Sequence, residues 1–344
     1  MFRQDRANPG TRVSQWKGRH DTAKGWPGSR VSTWLNGGLF GGAAGFTAFG
    51  GIISQYVDSG DSKTYRVHTF RGSGKFYVAA GTADVDYLIV AGGGPSRGAY
   101  GYSGQNAASG GGGAGGVLTG TGHTVAAGTY AIVVGKGGLG AQGTGVGYAA
   151  AQDSTALGYT ATKGGDGQEG GSSPGGDGGS GGGGGDGLAA GNQAGGGGGG
   201  YGGVGANQAG GDGPAGGSGT AGPPRQGYDG GTGGTSSLYG GNGGVAATGY
   251  GISETVRYYA AGGGGGGKGG GTEGEITSGS GTTLHYAGGG DGYATALNAP
   301  HYGGAVPNTG SGAGGIGAMG HLVFSYGGDG GAGIVLIRYD TGLT

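Results

Sequence analysis

The sequence predicts a mainly β and irregular fold. A small β-sandwich base carries an inserted bundle of glycine-rich threefold helices, preceded by an extended N-terminal arm. Three observations predict it. First, two strand-like runs, Asp86-Tyr87-Leu88-Ile89-Val90-Ala91 and Gly333-Ile334-Val335-Leu336-Ile337-Arg338-Tyr339, bracket a glycine field from about Gly92 to Gly331. Both runs have the β-branched and aromatic enrichment of strands. Second, 111 of the 344 residues are glycine, yet only 11% are charged and 20 are tyrosine. That balance opposes the disorder such glycine content usually signals, because disordered chains are strongly charged and poor in aromatics. Third, all three tryptophans fall within residues 1–36 among seven basic and two acidic residues. That head is +5 while the whole chain is −1, so the two parts do different jobs.

In chain order, the head (residues 1–36) has no sustained helical or strand period, and Pro9-Gly10 and Pro27-Gly28 mark turns. Basic residues interleaved with tryptophan suit either nucleic acid or a protein partner. The modest charge and the Trp/Arg composition fit protein docking better, with Arg12, Trp16, Arg19, Trp26 and Trp34 as anchors. Residues 37–60 read as a glycine-rich hinge with apolar knobs.

The base is expected over residues 61–135, completed by 332–340. Tyr65–Phe70 and Lys75–Ala80 alternate around Gly72-Ser73-Gly74, a hairpin pattern. Asp86–Ala91 is a near-continuous apolar run, as a central strand would be. Gly116–Thr119, Thr129–Val134 and Ile334–Tyr339 bring the count to about six, enough for a small sandwich.

Residues 136–331 form the inserted field. Glycine runs at Gly110–Gly113, Gly181–Gly185, Gly195–Gly200 and Gly262–Gly267 are unevenly spaced, which excludes a fixed-period solenoid. Collagen is excluded too, since these runs break a Gly-X-Y register. An extended threefold helix of the polyglycine II type leaves its backbone groups unpaired internally. Without side chains, several such helices can approach closely enough to bond one another. A lone one cannot persist against a backbone entropy cost of ~1–2 kcal/mol per residue.

Chemical motifs are few. Strand 86–91 followed by Gly92-Gly93-Gly94 invites a dinucleotide reading, but the third glycine position falls on Arg97 and no helix-forming run follows. No Gly-Lys pair precedes Ser or Thr as a P-loop requires. Gly181–Ala189 matches one calcium β-roll nonapeptide, a motif that works only in tandem. The six histidines do not pair at metal-ligand spacing, and there is no cysteine. No catalytic constellation stands out, so neither an enzyme nor a cofactor or metal is expected. No apolar run reaches the ~18 residues of a membrane helix. Met1-Phe2-Arg3-Gln4-Asp5-Arg6 leads into polar sequence, so no signal peptide is expected.

What stands out is the aromatic clustering of the last third. Tyr258, Tyr259, His285, Tyr286, Tyr293, His301, Tyr302 and Tyr326 crowd inserts between glycine runs. Tyrosine on a Gly/Ser/Asn background is the composition of binding loops. The same rings could instead staple bundle to base, since tyrosine packs equally well inside.

Residues 64–94 and the ending Gly330–Tyr339 resemble the glycine-rich domain found in many phage tail proteins. The middle is similar in style to the receptor-binding adhesins at the tips of T-even phage long tail fibres. A more distant likeness is the extracellular glycine-rich domain of anaplastic lymphoma kinase. The resemblance covers about residues 60–340 and implies a virion protein. The head lies outside the resemblance, and from its position alone it would dock on other tail or baseplate proteins, while the loops would meet a host glycan or outer-membrane protein. Nucleic acid is not an expected partner, and monomer and homotrimer both stay open. The other readings are a structural tail or capsid decoration without receptor binding, and an ice-binding glycine bundle. The uneven inserts argue against the last, which needs a flat regular face.

Overall fold

The computed structural model describes residues 45–101, 106–141, 147–169, 174–189, 195–201, 203–205, 207, 217–220, 224–233, 240–244, 247–250, 257–267, 293–295, 303–318, 323–324 and 326–342. Among these residues there is no α-helix, and the regular structure is all β-strand. The strands are β1 (Thr47–Phe49), β2 (Ile52–Val57), β3 (Thr64–Phe70), β4 (Gly74–Val90), β5 (Tyr100–Gly101), β6 (Asn106–Ala108), β7 (Val117–Ile132) and β8 (Ser154–Ala156). They continue with β9 (Tyr159–Ala161), β10 (Asp186–Ala189), β11 (Ala247–Tyr250), β12 (Arg257–Tyr259), β13 (Tyr293–Thr295), β14 (Ile316–Ala318), β15 (Val323–Phe324) and β16 (Ile334–Asp340).

Six of these make one curled sheet in the order β1-β4-β16-β3-β2, with β7 on the other edge of β4. Strand β4 is the spine. Its first half pairs with β1 (Val78 opposite Ala48), its second half with β16 (Leu88 opposite Leu336), and β7 runs along its far side. Register shifts between Val78 and Thr82 and between Val85 and Tyr87 bend it, as bulges do. The chain then passes from β1 to β2 through Gly50 and Gly51, at φ +120° and +62°. A side chain at Gly50 would overlap the Lys75 carbonyl. Only glycine allows that corner, and the corner lets the sheet curl on itself.

Inside the curl lies the larger core cluster, with Phe46, Phe76, Val85, Ile89, Val125, Ile132, Val335, Ile337 and Tyr339. The β8–β9 hairpin closes one side of it. Its turn residues Leu157 and Gly158 both have positive φ (54° and 84°), the geometry of a tight hairpin. Leu157 tolerates this backbone because its side chain is buried in the cluster. His68 on β3 is fully buried there. Its Nδ1 donates to the Gly50 carbonyl at 2.7 Å, and its ring lies edge-on to Phe76 and stacked on Tyr339. Burial pushes its pKa down to about 4, against a smaller upward pull from the Gly50 bond.

The opposite face carries Val67, Leu88, Val90, Val117, Ile334 and Leu336 and packs on the glycine region through Ala114, Tyr259 and Ala260. Beside it, Arg338 on β16 ties four strands together. Its Nη2 and Nε donate to Asp86 Oδ2 at 2.6 and 3.1 Å, Nη1 donates to the Tyr56 hydroxyl at 2.8 Å, and its guanidinium lies over the Tyr65 ring.

Four differences from the sequence reading have physical causes. Lys75–Ala80 and Asp86–Ala91 belong to one 17-residue strand, because Gly81 (φ +79°) sits at a bulge and not at a turn. Gly116–Thr119 and Thr129–Val134 likewise overlap the single long strand β7, which β4 accompanies throughout. The expected hairpin of β3 with β4 does not form. The apolar run Ile334–Ile337 takes the place between them, where both of its edges are paired and both faces buried. Residues 47–57, assigned by sequence to a hinge, supply β1 and β2.

Beyond Val90 the ladders of the sheet do not stop; they change period. Strands β4, β7 and β16 continue as glycine segments 91–94, 110–116 and 327–333 in unchanged register. Ala91 and Gly94 N–H bond Gly116 and Gly113 carbonyls, and Gly93 N–H bonds Gly331. Bonds to a given neighbour now recur every third residue. The segment 110–116 is the clearest case. Gly110, Gly113 and Gly116 donate to Gln168, Gly165 and Thr162; Gly111 and Ala114 donate to Gly196 and Gly199; Gly112 and Gly115 donate to Ala313 and Gly310. Its carbonyls accept from three further segments: from Ser180 and Gly183, from Gly263, and from Ala91 and Gly94. Six neighbours thus surround one buried strand of backbone. At Gly112 an added Cβ would overlap the Gly94 carbonyl, and at Gly198 and Gly312 it would overlap that of Gly112.

Candidate functional site

The aromatic residues singled out by sequence divide into three groups. Tyr259 ends β12 and is 4% exposed, packed in the second core cluster with Leu88, Val117 and Leu336. It is set there by Ala260, whose φ of 62° turns the chain and whose N–H bonds the Thr309 carbonyl. Tyr259 therefore leaves the receptor-facing set: it joins glycine region to base. Tyr258, its strand neighbour, is half-buried on the other face, as the alternation of a strand requires, and Tyr326 is half-buried too. Tyr293 begins β13, which runs parallel to β14. His285, Tyr286, His301 and Tyr302 lie outside the described residues, as do Arg12, Trp16, Arg19, Trp26 and Trp34 of the arm.

The structure adds polar clusters that no local spacing announced. Arg97, Tyr148 and Asp166 come from three separate segments held together by glycine backbone: Arg97 N–H bonds the Gly167 carbonyl and Gly98 N–H that of Ala141. The Arg97 guanidinium lies 4.5 Å from the Tyr148 ring centre, the Tyr148 hydroxyl donates to Asp166 Oδ2, and Arg97 Nη2 stands 3.9 Å from that oxygen. Burial, then the Asp166 bond, raises the Tyr148 pKa. Among the described residues, buried Arg97 Nε and Asp166 Oδ1 have no hydrogen-bond partner. Arg225 repeats the stack over Tyr228, at 4.3 Å.

A second aromatic group rims the larger core. Tyr87 stacks on Tyr159 at 4.9 Å, and His123 meets both edge-on. Burial, followed by the Tyr159 hydroxyl, raises the Tyr87 pKa to about 12. Tyr159 presents the outer part of its ring to solvent. Rings, guanidinium groups and carboxylates in this arrangement can bind polar ligands by stacking and hydrogen bonding. Among the described residues, no group of three or more His, Asp or Glu side chains is placed to hold a metal ion, and no helix is long and apolar enough to cross a membrane.

Comparison with known proteins leaves the reading to the residues themselves: no family model matches the chain, and no curated protein matches it.

Proposed function

We propose that the protein is a virion adhesin of the phage tail-fibre type. Residues 1–36 attach it to the particle, and the curled sheet, closing sandwich-like over its larger core, forms the base. The glycine segments are threefold helices of the polyglycine II type, bundled to support loops that meet a host glycan or outer-membrane protein. The observation that carries this reading is the three-residue bonding period around Gly110–Gly116 with its six neighbouring segments. A threefold extended helix has no internal backbone bonds and turns its N–H and C=O groups outward in three directions. Such a bundle is stiff and carries no side-chain chemistry inside. Its use is support, and the chemistry then lies in the inserts.

A structural virion component without receptor binding is the second reading, and the burial of Tyr259 favours it, since that ring is a staple. Adsorption of the purified protein to host cells separates the two. Tyr258→Ala and Tyr302→Ala are expected to weaken adsorption, by about 1–3 kcal/mol per ring, with the melting temperature unchanged. Tyr259→Ala is expected to lower the melting temperature. If all three lower the melting temperature and none weakens adsorption, the structural reading stands.

A further inference from the structure

Strand β2 is the terminal strand of the sheet, and among the described residues no strand pairs with its outer edge. That edge is apolar and uncharged. Ile52, Ile53 and Val57 are 58%, 46% and 64% exposed, and Ile52–Val57 contains no charged residue, proline or glycine. Its register against β3 is unbroken, so no bulge turns it aside. Proteins blunt open edges with charge, proline or bulges, and an edge with none of these is a pairing template. Exposed apolar surface continues into the preceding strand, where Phe49 stacks on Tyr77.

We propose that this edge pairs with the same edge of a second copy of the chain. The two strands run antiparallel about a two-fold axis through Gln55 and join the two sheets into one. Such an axis sets each residue opposite the one equally far on its other side. Ile53 then meets the partner's Val57, Ser54 the partner's Tyr56, and Gln55 its own copy. Ile53, Gln55 and Val57 share the face of His68, Arg66 and Thr64, their opposites on β3. Along that face the dimer has an apolar pair at each end and an amide pair between, the matching that stabilises neighbouring strands. Gln55 Oε1 accepts from Arg66 Nη2 at 3.2 Å, which holds the amide in place at the axis. The pairing ends at Val57, because Asp58 opens the turn into β3 with its carboxylate held by Gly60 N–H and Arg338.

Two features select a second copy over an unrelated strand. The edge is its own complement in this register and in neither neighbouring one. An axis through Ser54 would set Ile53 against Gln55 and Val57 against Gly51, and one through Tyr56 would set Gln55 against Val57 and Ser54 against Asp58. An axis between two residues would oppose side chains from different faces. Nor does charge keep two copies apart, since each chain carries a net charge of only −1. The pairing does not depend on the adhesin reading.

The full-length protein tests it. A single short strand edge is a small interface, so association should be weak and reversible, with a Kd of about 10 μM. Sedimentation velocity up to about 100 μM is expected to show monomer passing to dimer. Ile53→Lys sets an ammonium against the partner's Val57 and should weaken the dimer about tenfold or more. An equimolar mixture with Val57→Glu should restore it, because the two new charges then face each other. The chain has no cysteine, so Gln55→Cys places a single thiol on the axis, and mild oxidation should link two chains. Val57→Cys, whose copies lie about 13 Å apart along the edge, should link about tenfold more slowly. A chain that stays monomeric, a dimer that Ile53→Lys leaves intact, or linking that is absent or equal at the two positions overturns the proposal. A monomer whose β2 amides all resist hydrogen exchange overturns it too and gives the edge to another part of the same chain.

Discussion

The base sheet and the glycine segments both withdraw chain from water, yet they bury opposite parts of it. In the sheet, Leu88, Ile89 and Ile337 are withdrawn from water, each contributing about 1.5–3 kcal/mol by burial of apolar surface. In the segment 110–116 the buried material is peptide backbone. There a hydrogen bond nets about 1 kcal/mol and a Cα–H···O contact about 0.5–1 kcal/mol. Ordering the glycine costs about 1–2 kcal/mol, so each bundle residue comes close to balance. The glycine segments therefore lean on the sheet, which feeds them through β4, β7 and β16 with the ladders already in register. Side-chain chemistry specifies the base. In the bundle, specification comes from the absence of side chains.

The largest effect should follow from adding one methyl group at the bundle centre. Gly112→Ala would set a Cβ against the Gly94 carbonyl and the Ala313 nitrogen, both backbone atoms of packed segments. A loss of about 3 kcal/mol or more is expected, at the upper end for overpacking. Gly72→Ala, where no atom lies within 4 Å of the added Cβ, should stay within about 0.5 kcal/mol of the parent. Thermal unfolding measures both, and hydrogen exchange locates the damage. Protection should fall in residues 181–200 of the Gly112→Ala protein while β4 and β16 keep theirs. Equal effects at the two glycines would break the contrast.

Acid should act through the base. His68 is neutral in the folded protein, with its pKa lowered to about 4 by burial, against about 6.5 when unfolded. Because the unfolded chain binds the proton more readily, this contribution is whole above pH 6.5. It is lost as pH falls from there toward 4, and amounts to about 3 kcal/mol in full. His68→Gln keeps a donor for the Gly50 carbonyl and should flatten stability across that window. A titration of unfolding free energy from pH 7 to 4 checks it; an unchanged slope in the variant would assign the acid sensitivity elsewhere.

Much of the base was legible in the sequence because strands announce themselves by side chain. Asp86–Ala91, all but its last residue, and Ile334–Tyr339 fall in β4 and β16, both central. Connectivity was less legible. Gly72-Ser73-Gly74 looks like a hairpin turn, but the strand that outcompetes β3 for the edge of β4 lies more than 240 residues away in sequence. The strands at 47–57 were hidden by the glycines around them, whose role is a corner and not a hinge. Of the candidate site, the burial of Tyr259 beside its half-buried neighbour Tyr258 could be read only once β12 was placed. The Arg97, Tyr148 and Asp166 cluster had no signal at all, because its members are joined through backbone bonding among glycines that look alike.

The smallest effect separates the few side chains that do serve the bundle from those that merely fit in it. Ser109 and Ser180 are both fully buried among glycine segments. The Ser109 hydroxyl accepts from the Ile316 N–H at 2.8 Å and has the Ile316 carbonyl and the Ser96 hydroxyl at 3.2 Å. Among the described residues Ser180 Oγ has no hydrogen-bond partner, although its backbone N–H bonds the Ala114 carbonyl as the period requires. Ser109→Ala should cost about 1–3 kcal/mol, since it strips bonds from buried groups. Ser180→Ala removes an unsatisfied hydroxyl and leaves the backbone bond intact, so it should be neutral or stabilising by up to about 1 kcal/mol. Denaturant midpoints of the two variants give the answer. A clear loss at Ser180 would mean that its hydroxyl is bonded in solution, by water or by a neighbour, and that the bundle interior is wetter than its backbone packing implies.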